Sequence, residues 1–360
     1  MIGLAILAIV LISGAYKMLR ARRSAGGAGN RRRAADPNAA LALGFLPADR
    51  LDTDRGAPPA PGEVAALDAV RAGDWQAGAA WLDAAGQDWD ERFRRVGVLA
   101  GPAAEDDAWL LAWRAERPED AGAAAVHADA AVSVAWKVRG SLGAKHTTQE
   151  QFRVFHRLIA ASQEVMAEAQ RLADPADPVP YMLEQPVAMA LGYTHERYGE
   201  LWAEIVKRDP KVLSAHTGAL QYWCRKWRGS HEVAEAFAKA SAASGAPGDL
   251  LSLLPLYAYV EYEMAEEDLA PEVFYQRPDV VAATDAALAD VAAADPADRR
   301  VARVRHVLAW NLYWQGRYAE AVEQFRAVDG YIGATPWTYV SDSRGRYLRA
   351  RDFCVREAAA

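Results

Sequence analysis

Cysteine is nearly absent. The 360-residue chain has two, Cys224 and Cys354, far apart and in no CxxC pair. That excludes a disulfide framework, a zinc ribbon and a thioredoxin-type dithiol, and two unpatterned thiols suit a reducing compartment. The seven histidines form no HExxH and no pair at i, i+4, so no helical zinc-ligand pair is present. No GxxxxGK[ST], GxGxxG or GxSxG occurs, which removes the P-loop, the dinucleotide fingerprint and the nucleophile elbow. Alternating β-branched runs are few, so sheets are not expected. The patterns call for no catalytic residue, no metal, no cofactor and no small-molecule ligand.

Charge of any sign is missing from residues 2–16, IGLAILAIVLISGAY. Acids are missing from a longer stretch. Residues 1–33 hold seven cations (Lys17, Arg20, Arg22, Arg23, Arg31, Arg32 and Arg33) and no carboxylate. Fifteen helical residues reach about 22 Å, short of a hydrocarbon core of about 30 Å. Extension to Leu19 reaches about 27 Å if Lys17 snorkels to the headgroups. No basic region precedes the apolar run and no A-x-A site follows it, which argues against a cleaved signal peptide. The basic residues lie after the run, where they favour the cytoplasmic side. Residues 1–23 are therefore expected to be a single-pass anchor in the cell membrane, spanning with residues 2–19, with the amino terminus outside and the body cytoplasmic. A cleaved or exported form and an interfacial helix remain as alternatives.

The net charge of −7 conceals this asymmetry. Seven of the 41 basic residues precede residue 34, leaving 34 against 48 acidic residues in the rest. So acidic a body is a poor match for nucleic acid, whose phosphates need a basic face.

What the chain has in plenty is apolar residues, 52%, with abundant alanine, the best helix former. Residues 24–62 pass from GGAGNRRR to RGAPPAPG and read as a flexible tether. A short helix near 38–44 fits there, and Leu41, Leu43 and Phe45 are placed to dock on the body. From residue 63 to 357 turn signals recur every twelve to twenty residues or so, giving a helix pair per about 34–40 residues. The expected fold is all-α, an α-solenoid of antiparallel helix pairs.

Three stretches carry the pattern. In LAWNLYWQGRYAEAVEQFRAV (308–328), Leu308, Ala309 and Leu312 line one helix, Gly316 breaks it, Tyr318 opens the next, and Ala321, Phe325 and Val328 continue one face. In ALDAVRAGDWQAGAAWLDAAG (66–86), Gly73, Trp75 and Leu82 take the places of Gly316, Tyr318 and Phe325. Gly78 replaces the alanine, which is sterically tolerable and costs helix stability. In ALGYTHERYGELWAEIVKRDP (190–210), Tyr198, Leu201 and Ile205 are in register, with Glu196 in the glycine's place. These stretches resemble the tetratricopeptide repeat. The run from Tyr181 to Glu263 is also similar to a family of uncharacterised bacterial helical proteins with a KW-x-GS corner. Both resemblances imply a fold and bring no catalytic residue.

QYWCRKWRGSHE (221–232) is the most site-like segment. On a helix Trp223 and Trp227 share a face with Leu220 and Cys224, Gly229 ends the helix and Ser230 caps the next. It reads first as a helix corner and second as part of a binding groove, and Cys224 has no adjacent base. A solenoid groove would hold a peptide or partner helix on aromatic, amide and basic side chains, for which Tyr222, Arg225, Lys226, Trp310, Asn311 and Trp314 are the candidates. The expected function is a membrane-tethered protein–protein interaction scaffold. The alternative is an enzyme of unknown reaction with a helical cavity near His146, Glu150 and His156.

Overall fold

A computed structural model describes residues 37–140 and 148–359. Among the described residues there are seventeen α-helices, two short 3-10 helices and no strand, as the all-α expectation required. Among the described residues the one extended pairing is an isolated parallel bridge between Asp52 and Tyr331. No helix among the described residues is long and apolar enough to cross a membrane, and residues 2–19, the expected span, lie outside them.

The described chain forms two compact units, where the sequence led us to expect one repeat domain over 63–357. The first runs from residue 59 to residue 230. The second combines residues 37–58 with residues 231–359. From residue 37 on, the chain thus starts in the second unit, builds the first, and returns.

In the first unit the helices are α2 (Glu63–Arg71), α3 (Trp75–Asp83), α4 (Trp89–Ala103), α5 (Ala108–Glu116), α6 (Ala121–Arg139), α7 (Gln149–Leu172), α8 (Val179–Leu191), α9 (His195–Arg208) and α10 (Leu213–Trp223). Local chemistry starts most of them. Asp74, Asp88, Asp120, Thr148 and Thr194 each accept a backbone N–H three residues on, and Thr148 with Gln151 completes a capping box. α10 has no cap of its own. Asp90 on α4 supplies it from a distance, accepting from Leu213 N at 3.0 Å and Ser214 N at 2.8 Å. The core lies where α6 packs along α4 and α7, and α8 closes on α7.

Gly78 shows how close the packing runs. An alanine there would gain about 1 kcal/mol of helix propensity. Its Cβ, however, would sit 2.6 Å from Val70 Cγ1. Overpacking of this kind costs about 1–3 kcal/mol, so the steric term wins. Gly78→Ala is expected to destabilise the protein by about 1 kcal/mol in urea unfolding. A stabilised variant would show that α2 and α3 can part without cost. The reading of Gly78 as a mere loss of helix stability is corrected: the helices approach too closely for a methyl group.

The second unit contains α1 (Pro37–Ala42), α11 (His231–Ser244), α12 (Leu253–Ala265), α13 (Pro271–Phe274), α14 (Pro278–Ala293), α15 (Arg300–Gln315), α16 (Tyr318–Ala327) and α17 (Ser343–Ala358). Asp290 on α14 ties down the loop that leads into α12, accepting from Gly248 N and Ser252 Oγ, each at 2.6 Å. Gly316 ends α15 in the left-handed region at φ 75°, and α16 starts two residues later, as its sequence predicts.

The tether reading is corrected from residue 37 onward. Residues 37–58 are a strap on this unit. Leu46 N donates to Asp329 Oδ2 at 2.6 Å, and Arg351 Nη1 donates to Leu46 O at 3.0 Å. Asp52 N donates to Gly330 O and Ile332 N to Asp52 O, both at 2.8 Å. Gly333 lies so near the strap that a Cβ would be 2.5 Å from Arg55 N. Of the three side chains expected to dock, Phe45 is buried beneath the guanidinium groups of Arg326 and Arg351, whereas Leu41 and Leu43 stay exposed.

Candidate functional site

The six expected groove residues divide between the units: Tyr222, Arg225 and Lys226 in the first, Trp310, Asn311 and Trp314 in the second. Tyr222 is a core side chain. Its ring stacks on Tyr198 with centroids 3.5 Å apart, and its hydroxyl donates to Tyr193 O at 2.7 Å. Gln185 Nε2 donates to the Tyr198 hydroxyl and to Ala215 O, so the pair locks α8, α9 and α10 together. Burial pushes both phenols up, Tyr198 far above its ordinary value. Arg225 and Lys226 are exposed.

The corner itself differs from its sequence reading. α10 stops at Trp223, Cys224 is extended, and residues 225–228 form a turn in which Trp227 N and Gly229 N both donate to Cys224 O. Trp223 and Trp227 therefore do not share a helical face. Trp223 packs against His195, Tyr198 and Tyr222, while Trp227 stands edge-on to Trp136 of α6. Gly229 is obligatory for a reason that spacing hides: a Cβ would fall on the Trp223 carbonyl oxygen.

In the second unit Trp310 is held in a buried polar cluster. Its Nε1–H lies 2.8 Å from Glu263 Oε2 and 3.1 Å from the Tyr275 hydroxyl, which itself donates to Glu263 Oε2 at 2.7 Å. Arg346 lies 3.6 Å from the other Glu263 oxygen and covers the Trp310 ring at 4.0 Å. Burial, reinforced by the Glu263 charge, drives the Tyr275 phenol well above its usual value, so it remains a donor at any physiological pH. Asn311 is fully buried. Its Nδ2 donates to Val307 O at 2.9 Å, and its Oδ1 has no partner. Trp314 is half-buried and stands edge-on to Trp310, its indole N–H also without an acceptor.

Glu263, Tyr275 and Arg346 were not anticipated, because 12 residues separate the first two and 47 separate Glu263 from Trp310. One signal existed: LLPLYAYVEYEMA places Glu261 and Glu263 inside an otherwise apolar helix, and a buried acid needs donors. Glu261 takes the Tyr339 hydroxyl in the same way.

His306 is equally enclosed. Its Nε2–H donates to Gly56 O at 2.9 Å and its Nδ1 accepts from Trp337 Nε1 at 3.0 Å. Both ring nitrogens are engaged, and burial pushes the pKa down to about 4, so the imidazole is neutral and serves to hold the strap.

The segment proposed for chemistry is not assembled by what is described. His146 lies outside the described residues. Glu150 is exposed and paired with Arg153 at 2.7 Å. His156 is exposed and rests on Phe152 and Phe155. Among the described residues no three His, Cys, Asp or Glu side chains converge closely enough to hold a metal ion. Both cysteines are buried thiols, and burial drives Cys354 far above its normal range, away from the reactive thiolate.

Comparison with protein-family models, curated proteins and solved structures found no match.

Proposed function

We propose that the protein is a membrane-tethered interaction scaffold. Its helix pairs would form a tetratricopeptide-like α-solenoid, and a peptide or partner helix would lie in the groove. One observation supports this reading above others. Three second helices, α3, α9 and α16, bring a residue triplet at offsets 0, +3 and +7 to their packed face: Trp75, Gly78 and Leu82; Tyr198, Leu201 and Ile205; Tyr318, Ala321 and Phe325. All nine are buried save Tyr318, which is half-buried. A repeated stripe of this kind lets successive helix pairs stack by one rule. A surface built from stacked helices then does its work by shape.

The membrane part rests on the charge-free run 2–16 and the seven cations that follow it. Residues 2–19 would anchor the chain in the cell membrane with its body cytoplasmic. Arg225 and Lys226, exposed at the turn after α10, would meet partner carboxylates.

The test compares the full chain with a form lacking residues 2–33 and with an Arg225→Glu/Lys226→Glu double variant. The full chain is expected to stay with membranes through alkaline carbonate, and the shortened form to be released. A partner cross-linked by the full chain should be recovered about tenfold less by the charge-reversed protein. Equal recovery by all three forms would remove both the tether and the groove from the account.

A further inference from the structure

The strap 37–58 is held largely by its main chain. Arg326 of α16 donates to Leu43 O at 3.0 Å. Arg351 and Arg344 of α17 donate to Leu46 O at 3.0 Å and to Leu51 O at 3.3 Å. Arg299, just before α15, donates to Pro58 O at 2.6 Å, and His306 holds Gly56 O. The segment between α16 and α17 completes the seat. Beside the paired bonds of Asp52 to Gly330 and Ile332, Gly333 N donates to Arg55 O at 2.8 Å. Bonds of this kind recognise an extended backbone, as in the binding of a peptide along a sheet edge.

Side chains add selectivity at three points. Phe45 lies buried under two guanidinium groups, and Leu51 is only 3% exposed. Gly56 passes so close that a Cβ would lie 2.8 Å from Ala334 Cβ. The segment also brings part of its bound shape with it, since Asp52 Oδ1 accepts from Asp54 N and Arg55 N. The residues that follow, 59–230, belong to the first unit. Along the chain the strap therefore reaches the rest of its own unit only through the other one, and contact alone seats it. Those contacts are the same whether the segment comes from this chain or from another copy. Effective concentration is what favours the chain's own strap.

We propose that the seat formed by α15, α16, α17 and the α16–α17 connection is an interaction surface for an extended segment, and that its partner is the strap of a second copy of this chain. The pattern it takes is an aromatic residue at position 45, an aliphatic at 51, an acid at 52 and glycine at 56, and the strap carries it. The proposal stands independently of the tethered-scaffold reading.

The experiment follows a labelled peptide of residues 40–58 by fluorescence anisotropy. It is added to the full chain and to a full-chain Phe45→Ala/Leu51→Ala variant, whose own strap is loosened while its seat is unchanged. The variant is expected to bind the peptide about tenfold more tightly than the parent, because its internal competitor is weaker. A peptide carrying Gly56→Val should bind about tenfold more weakly, and a scrambled peptide not at all. A second measurement needs no loosened strap. One pool of the full chain carries a donor dye at Asp49→Cys, another an acceptor at Ser341→Cys, both exposed positions, and the two are mixed in detergent at about 1 mM, the scale of an effective concentration. Energy transfer is expected, and Gly56→Val in the donor pool should abolish it. Transfer that survives Gly56→Val, or none between the parent pools, overturns the proposal. So does equal binding of the peptide by parent and folded variant. Equal binding of the scrambled peptide would make any extended chain as good a partner and removes the second copy from the site.

Discussion

Asp129→Asn is expected to stabilise the protein by about 4 kcal/mol at about pH 8, and by about 1 kcal/mol at about pH 4.5. Asp129 lies in the middle of α6, only 2% exposed, among Val126, Ala128, Ala130 and Val132. Among the described residues no cation and no donor engages it, and burial alone pushes its pKa up to about 7. The folded state therefore holds a proton on Asp129 that the unfolded chain releases near pH 4. Below that pH both states are protonated and the residue costs nothing. As pH rises toward 7 the unfolded state gives up its proton first, and stability falls. Above about pH 7 both states are ionised, the cost is complete, and the curve is flat. Asparagine keeps the shape and stays neutral throughout, so its advantage grows from acid to alkaline pH. Urea midpoints of both proteins across this range check it. A constant difference between them would mean that Asp129 is solvated or paired.

Glu263→Ala is expected to destabilise the protein by about 3–4 kcal/mol. The substitution removes the shared acceptor of Trp310 Nε1 and the Tyr275 hydroxyl, both buried, and takes the opposing charge away from Arg346. A buried donor stripped of its acceptor costs about 1–3 kcal/mol, and a half-buried guanidinium without its acid costs more than an exposed one. Glu263→Gln separates the two contributions. Its amide oxygen can still accept from one donor, so a loss of about 1–2 kcal/mol is expected. Equal losses in the two variants would assign the effect to the charge facing Arg346. A loss below about 1 kcal/mol in Glu263→Ala would mean that water reaches the cluster. The result bears on the proposed groove as well, since Trp310, one of its expected walls, is held in place by this carboxylate.

The hairpins were legible because their signals are local. Gly316 ends α15 and Tyr318 opens α16 two residues on, and Asp74 caps α3 next to Gly73. The strap was not legible. Its composition, rich in glycine and proline, is that of a linker, and what orders it are partners nearly 300 residues away, such as Asp329 and Arg351. The corner at 221–232 was half legible: its position was right, but the helix ends at Trp223, because Cys224 O draws the following N–H groups into a closed turn. The expected groove residues were chosen as aromatic, amide and basic groups. The structure places Tyr222, Trp310 and Asn311 in the core, a distinction that depends on what each side chain packs against.

By itself the sequence determined the helical class, the hairpin boundaries, the uncharged amino-terminal run and the basic stretch behind it. Each follows from backbone propensity, capping or charge within a few residues. Tertiary structure alone decided that Gly78 admits no methyl group, that Asp90 caps a helix and Asp290 pins a loop far from each in the chain, and that Glu263 and Asp129 are both buried acids with opposite fates. The reason is desolvation: burial penalises the same carboxylate everywhere, and only distant chain segments decide whether donors arrive to offset it.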